Sequence, residues 1–146
     1  MNMPACLLCD WAAADREFSR VQVWDDQLWR LTTSLVAPVA GFSYLEPKRH
    51  IPHITELDGP EAEALGRVLA RVTAALKLAT GSELVYVNVF GERVAHLHFN
   101  LAPHTNGDAL TGGPGMLRPG AVGPERATLE ATAGRIHAAL SEASSR

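Results

Sequence analysis

His96-Leu97-His98-Phe99-Asn100 alternates polar and apolar side chains. Along a β-strand residues i, i+2 and i+4 project from one face, so the pattern predicts a strand with two imidazoles and one carboxamide in a row. Leu97, Phe99 and Leu101 then turn the other way, into the core. A neutral imidazole is a nucleophile at physiological pH, and such a row suits attack on phosphorus with a transient phosphoramidate. A bare His-x-His is also an ordinary pair at a sheet edge, so its surroundings decide.

Upstream, Leu84 to Phe90 is a second apolar run, separated from Val94 to Leu101 by Gly91-Glu92-Arg93, and the two predict a hairpin lying in the middle of a sheet. Before it, Glu61 to Leu78 carries Leu65, Val68, Leu69, Val72, Leu76 and Ala79 at helical spacing, with Asp58 as the expected N-terminal cap and Gly81 as the stop. Nearer the N-terminus, Ala12 to Glu17 reads as a short helical turn. Val21 to Trp24 and Leu28 to Thr32 read as a strand pair turning at Asp25-Asp26, and Phe42 to Leu45 as a third strand ended by Glu46-Pro47. Trp24 and Trp29 suit a core or a dimer surface better than a base-stacking platform. After the histidine stretch, residues 105–124 are dense in Gly and Pro and read as a long flexible loop. Glu125 to Ala143 is a last helix whose Leu129, Ile136 and Leu140 form a sparse stripe for a helix packing only on its own chain.

At 146 residues the chain has the length of one domain, divided here into a core of residues 1–104, a loop of 105–124 and a C-terminal helix of 125–146. Thirteen Lys plus Arg against sixteen Asp plus Glu give a net charge of -3, which argues against a basic nucleic-acid surface. No apolar run is long enough to span a membrane, and Met1 to Ala5 does not resemble a secretory leader, so a cytoplasmic protein is expected. Cys6 and Cys9 are the two cysteines, and their C-x-x-C spacing points to metal or redox chemistry before a structural disulfide. The strand pair that follows is not the strand-then-helix setting of a thiol oxidoreductase.

Leu45-Glu46-Pro47-Lys48-Arg49-His50-Ile51, then an amphipathic helix, then Asn88 ahead of Val94 to Asn100, resembles the histidine-triad (HIT) superfamily of nucleotide hydrolases and transferases, over most of the chain from Cys6 to Leu101. The resemblance implies an α+β fold: a mainly antiparallel sheet of about five strands with one long helix packed on it. It also implies a homodimer. His98 becomes the nucleophile at an α-phosphate, oriented by the backbone carbonyl of His96. Asn88, Glu92 and Arg93 fall at positions that contact substrate. A structural zinc ion is implied at Cys6, Cys9, His50 and His96, with His53 as the competitor of His50, since zinc favours two thiolates and two imidazoles in a tetrahedron.

Two positions depart from the family pattern. Ser34 stands where nucleoside-binding relatives carry an Asp that clasps the ribose, and one hydroxyl does not replace a bidentate carboxylate. Asn100 stands at the third motif position; an amide donates hydrogen bonds but delivers no proton at neutral pH, which favours a good leaving group such as phosphate. His104 is a candidate substitute for the missing histidine, against the plainer reading of an exposed loop residue, and His137 reads as unremarkable helix surface. The function implied is hydrolysis or transfer of a nucleoside monophosphate. The competing expectation is a non-catalytic protein that binds a nucleotide or phosphorylated metabolite and keeps the fold and the zinc.

Overall fold

The computed structural model describes residues 5–110 and 120–143. Its elements are α1 (Trp11–Glu17), β1 (Arg20–Asp25), β2 (Trp29–Ser34), β3 (Ser43–Pro47), α2 (Gly59–Thr80), β4 (Leu84–Val89), β5 (Phe99–His104) and α3 (Arg126–Ala143). The strands form one antiparallel sheet in the order β1-β2-β3-β5-β4. This is the expected α+β architecture.

Alternation along the strands gives the sheet two different faces. Trp29 and Leu31 of β2, Leu45 of β3 and Phe99 and Leu101 of β5 pack with Val68, Val72 and Leu76 of α2 in the main core. The opposite face carries Arg30, Tyr44, Glu46, Asn100 and, on β4, Asn88. Trp29 is fully buried and its ring meets Phe99, with centroids 6.0 Å apart, which makes it core.

Helix α2 begins two residues before the expected Glu61 and stops at Gly81, whose positive φ of 67° is a left-handed cap that glycine adopts without steric penalty. Asp58 sits at the N-cap position, but its side chain makes no capping bond. Arg49 takes that carboxylate instead, at 2.8 Å, and so ties the segment after β3 to the start of α2. Gly41 is required sterically as well as conformationally: at φ 84° a Cβ there would lie 2.7 Å from the methyl of Thr80.

Three expectations are corrected. The strand β5 starts at Phe99, so His96, Leu97 and His98 belong to an irregular connection of residues 90–98 and not to a tight hairpin. The cause is local: Leu97 N–H donates to the carbonyl of Ile51 at 2.7 Å and the His96 ring to that of Pro47 at 2.9 Å, partners outside the sheet ladder. β4 is an edge strand, not a central one, and it leaves Leu84, Val87 and Val89 exposed. Helix α3 packs on its own chain after all, burying Leu129, Ala133, Ile136 and Leu140 against α2 and β1. Ala133 completes the i, i+4, i+7 stripe that the larger apolar residues alone leave sparse.

The Gly/Pro-rich loop is anchored where it begins. Asp108 accepts from the N–H groups of Thr105 and Leu110, and Leu110 is buried against Val39 and Ala102. His104 is neither exposed nor free: its Nδ1 lies 2.9 Å from Asp108 Oδ1 and its ring stacks on Tyr86. The centre of that loop, residues 111–119, lies outside the described residues. His137 lies at the groove between α3 and β1, its Nδ1 at 2.8 Å from the carbonyl of Val23.

Candidate metal centre and active site

Cys6 precedes and Cys9 ends a single 3-10 turn, Leu7–Cys9, that leads directly into α1; Asp10 caps that helix by accepting from Ala13 N–H. The turn brings both thiols over the end of β3 and the 90–98 connection. There one ligand atom from each of Cys6, Cys9, His50 and His96 lies within 4.8 Å of all the others. Sulfur to Nδ1 separations are 3.4 Å for Cys6 to His96, 3.4 Å for Cys9 to His50 and 3.6 Å for Cys9 to His96. Sulfur–nitrogen edges of a tetrahedron around zinc, with Zn–S near 2.3 Å and Zn–N near 2.05 Å, are about 3.5 Å. His53 is not in this group.

The protonation pattern also suits a cation. His96 is fully buried, and its Nε2–H donates to the Pro47 carbonyl, which fixes the tautomer and leaves the Nδ1 lone pair directed at the thiols. Burial holds its pKa below the usual imidazole value, so the ring is neutral. Burial, followed by the neighbouring Cys6 and the Glu46 carboxylate, pushes the Cys9 thiol up to about 11. A second thiolate without a cation is therefore disfavoured there, and a bound divalent ion inverts that balance.

His96 serves a second purpose through its main chain. The Nδ1–H of His98 donates to the His96 carbonyl at 2.8 Å, which leaves Nε2 of His98 as the unprotonated nitrogen. His98 is half-buried and lines a cleft of about 580 Å³ with Val89, Phe90, Gly91, Glu92, Arg93 and Val94. Arg93 and Val94 also line an adjoining hollow beside Cys6 and His50. Gly91 lets the cleft wall pass close to His53: a Cβ there would stand 3.0 Å from its Nδ1.

The remaining candidate residues are more dispersed. Asn100 and Asn88 face each other across β5 and β4, both half-buried, with Tyr44 of β3 on the other side of Asn100, but neither lines that cleft. Ser34 is not placed to meet a ligand there. It is buried, and its hydroxyl accepts from the N–H groups of Val36 at 3.2 Å and Ala37 at 2.9 Å, forming a turn at the end of β2.

Four charged residues absent from the sequence-based site adjoin it. Arg20 of β1 bonds Asp15 of α1 and, through both terminal nitrogens, Glu46 of β3; Arg30 of β2 bonds the same Asp15 and Glu46. Glu46 lies in the buried layer directly before Pro47, the acceptor of His96. Burial raises its pKa while the two guanidinium groups oppose that rise. Charged residues at strand positions between apolar ones, as in Trp29-Arg30-Leu31 and Leu45-Glu46-Pro47, were the available signal.

No family model matches the chain. An uncharacterised HIT-like protein of Mycobacterium tuberculosis is 27% identical over 118 residues, covering 77% of this chain and 80% of that protein. Among solved structures, a zinc-bound histidine triad family protein from Mycobacterium smegmatis superposes with a TM-score of 0.72 at 18% identity, over 97% of this chain and 96% of that one. A hypothetical histidine triad nucleotide-binding protein from Sulfolobus tokodaii gives 0.70 at 20% identity, over 94% and 93%. In sequence the chain is similar to a HIT-like protein, and its fold is the one that histidine triad structures share.

Proposed function

We propose that the chain hydrolyses or transfers a nucleoside monophosphate, or a closely related phosphoryl group, through a covalent adduct on His98. The observation that carries this is the bond from His98 Nδ1–H to the His96 carbonyl, which presents Nε2 as a nucleophile at a cleft. Nε2 attacks phosphorus and the leaving group departs with the bonding electron pair; water or a second acceptor then displaces the imidazole. Asn100 donates a hydrogen bond to an oxygen of the substrate but supplies no proton, so the leaving group is one that departs as a stable anion. Asn88, Glu92 and Arg93 bind the substrate, the guanidinium taking phosphate charge at the cleft. Ser34, with its hydroxyl engaged, shapes the nearby turn and leaves ribose selection to other groups.

Zinc is the metal that the donor set of Cys6, Cys9, His50 and His96 fits, with a structural role: it fixes the N-terminal turn to the segment that carries His98. The working unit is a homodimer joined along the exposed β4 edge, where Leu84, Val87, Val89 and Phe90 present apolar surface. No described helix is long and apolar enough to cross a membrane.

The engaged Ser34 hydroxyl and the amide at position 100 favour one alternative, a protein that binds a nucleotide or phosphorylated metabolite without turning it over. Detection of a nucleotidyl adduct that disappears in His98→Ala decides between them. Asn100→His refines the answer: a hydrolase gains turnover from the restored acid, and a site built for transfer loses it.

A further inference from the structure

Four charges lie under α1 and beside the cysteine–histidine cluster, and neither the cluster nor the cleft accounts for them. Asp15 Oδ1 and Oδ2 take Arg20 Nε at 2.9 Å and a terminal nitrogen of Arg30 at 2.6 Å. Glu46 takes Arg20 at 3.0 and 3.1 Å and Arg30 at 3.2 Å, and the Nε of Arg30 is bound by Gln22 at 3.0 Å. Three of these side chains are at least 98% covered, and only Asp15 reaches solvent, at 23%. Trp11 closes the outer side, its ring over both Arg30 and Lys48.

The placement of the network along the chain matters more than its charge. Asp15 sits on the helix that follows Cys9 without a linker, so holding Asp15 fixes the direction from which the thiols arrive. Glu46 is covalently joined to Pro47, whose carbonyl fixes the His96 ring. One buried network therefore grips the cysteine half of the cluster through α1 and the histidine half through β3. Burying four charges is costly, and well-packed apolar residues would hold a helix on a sheet equally well, so stability alone does not explain it.

We propose that Asp15, Arg20, Arg30 and Glu46 are positioning residues for the metal centre, setting the approach of Cys6 and Cys9 to His50 and His96 so that the four donors are arranged before the ion binds. The charges do not touch the ion; they act through α1 and through Pro47. Groups that orient metal ligands in this way typically change metal affinity about 10- to 100-fold when removed.

The inference rests on the metal reading of the cluster, and one experiment separates the two. Zinc affinity of the purified full chain is measured by competition with a chromogenic chelator for wild type, Asp15→Asn and Ile136→Ala, alongside thermal melts. Ile136→Ala lowers stability from the distant α3 core and controls for general loosening. The expected result is zinc binding weakened at least tenfold in Asp15→Asn and unchanged in Ile136→Ala. Wild-type affinity in folded Asp15→Asn, or equal weakening in both variants, overturns the proposal while leaving the metal centre standing. Absence of zinc binding by wild type overturns both. Should Asp15→Asn not fold, Gln22→Ala, which removes only the acceptor of Arg30 Nε, decides: weaker zinc binding supports the proposal and unchanged binding overturns it.

Discussion

The main-chain carbonyl of His96 accepts a hydrogen bond from Nδ1 of His98 at 2.8 Å, while the His96 side chain points its own Nδ1 at two cysteine thiols. One residue thus joins the cysteine–histidine cluster to the proposed nucleophile. Whatever fixes the ring of His96 also fixes the acceptor that sets the tautomer of His98.

His96→Ala is therefore expected to lose zinc and stability together. A site saturated a thousandfold above its dissociation constant contributes about 4 kcal/mol to the folded state, and the variant forfeits it. Elemental analysis with a thermal melt checks this. Full zinc occupancy in the variant would remove His96 from the ligand set.

Acidification acts on a second anchor. Arg49, the chain neighbour of His50, holds both oxygens of Glu61 at 3.0 and 3.1 Å, and this bond keeps the Glu61 carboxyl below its usual pKa of 4.5. Because the folded value is the lower one, the stabilisation is fully present above about pH 4.5 and disappears as pH falls through the lowered value. Glu61→Gln should melt below wild type at pH 7, and the two melting curves should converge as the solution is acidified through the lowered value. A gap of constant size across that range contradicts the assignment.

The β4 edge provides a test of assembly. Val87 is 43% exposed on a strand that, among the described residues, has no neighbour on its outer side. Val87→Glu is expected to convert a dimer to a folded monomer in light scattering coupled to size exclusion, since a buried unpaired carboxylate opposes sheet joining. A variant that remains dimeric places the interface elsewhere.

Helix α3 makes the core larger than its stripe suggests. Ile136 is fully buried between α2 and the sheet, and Ile136→Ala should cost roughly 2–5 kcal/mol in chemical denaturation. A cost below about 1 kcal/mol would mean that α3 is only loosely docked.

The alternation in Leu97, Phe99 and Leu101 correctly marked core residues, and the α2 stripe marked the helix that covers them. Pattern alone misplaced His96 and His98, because their conformation follows from bonds to Ile51 and Pro47, residues some 45 positions away, and not from a ladder. The C-x-x-C spacing alone pointed only to metal or redox chemistry; it was the family resemblance that joined Cys6 and Cys9 to His50 and His96, and their closeness is a product of the fold. The Arg20–Glu46 network escaped notice for the opposite reason. Each of its charges looks like a solvated strand residue until the sheet stacks them under α1.

The central claim is that Nε2 of His98 forms a covalent bond to phosphorus. Wild type and His98→Ala are incubated with dinucleoside polyphosphates, nucleotide sugars and nucleoside phosphoramidates, quenched, and weighed by intact mass spectrometry. The account predicts a nucleotidyl adduct in wild type and none in His98→Ala, with the variant folded and loaded with zinc. An adduct or turnover that persists in His98→Ala, or no adduct and no turnover from any donor in folded, zinc-loaded wild type, would contradict it.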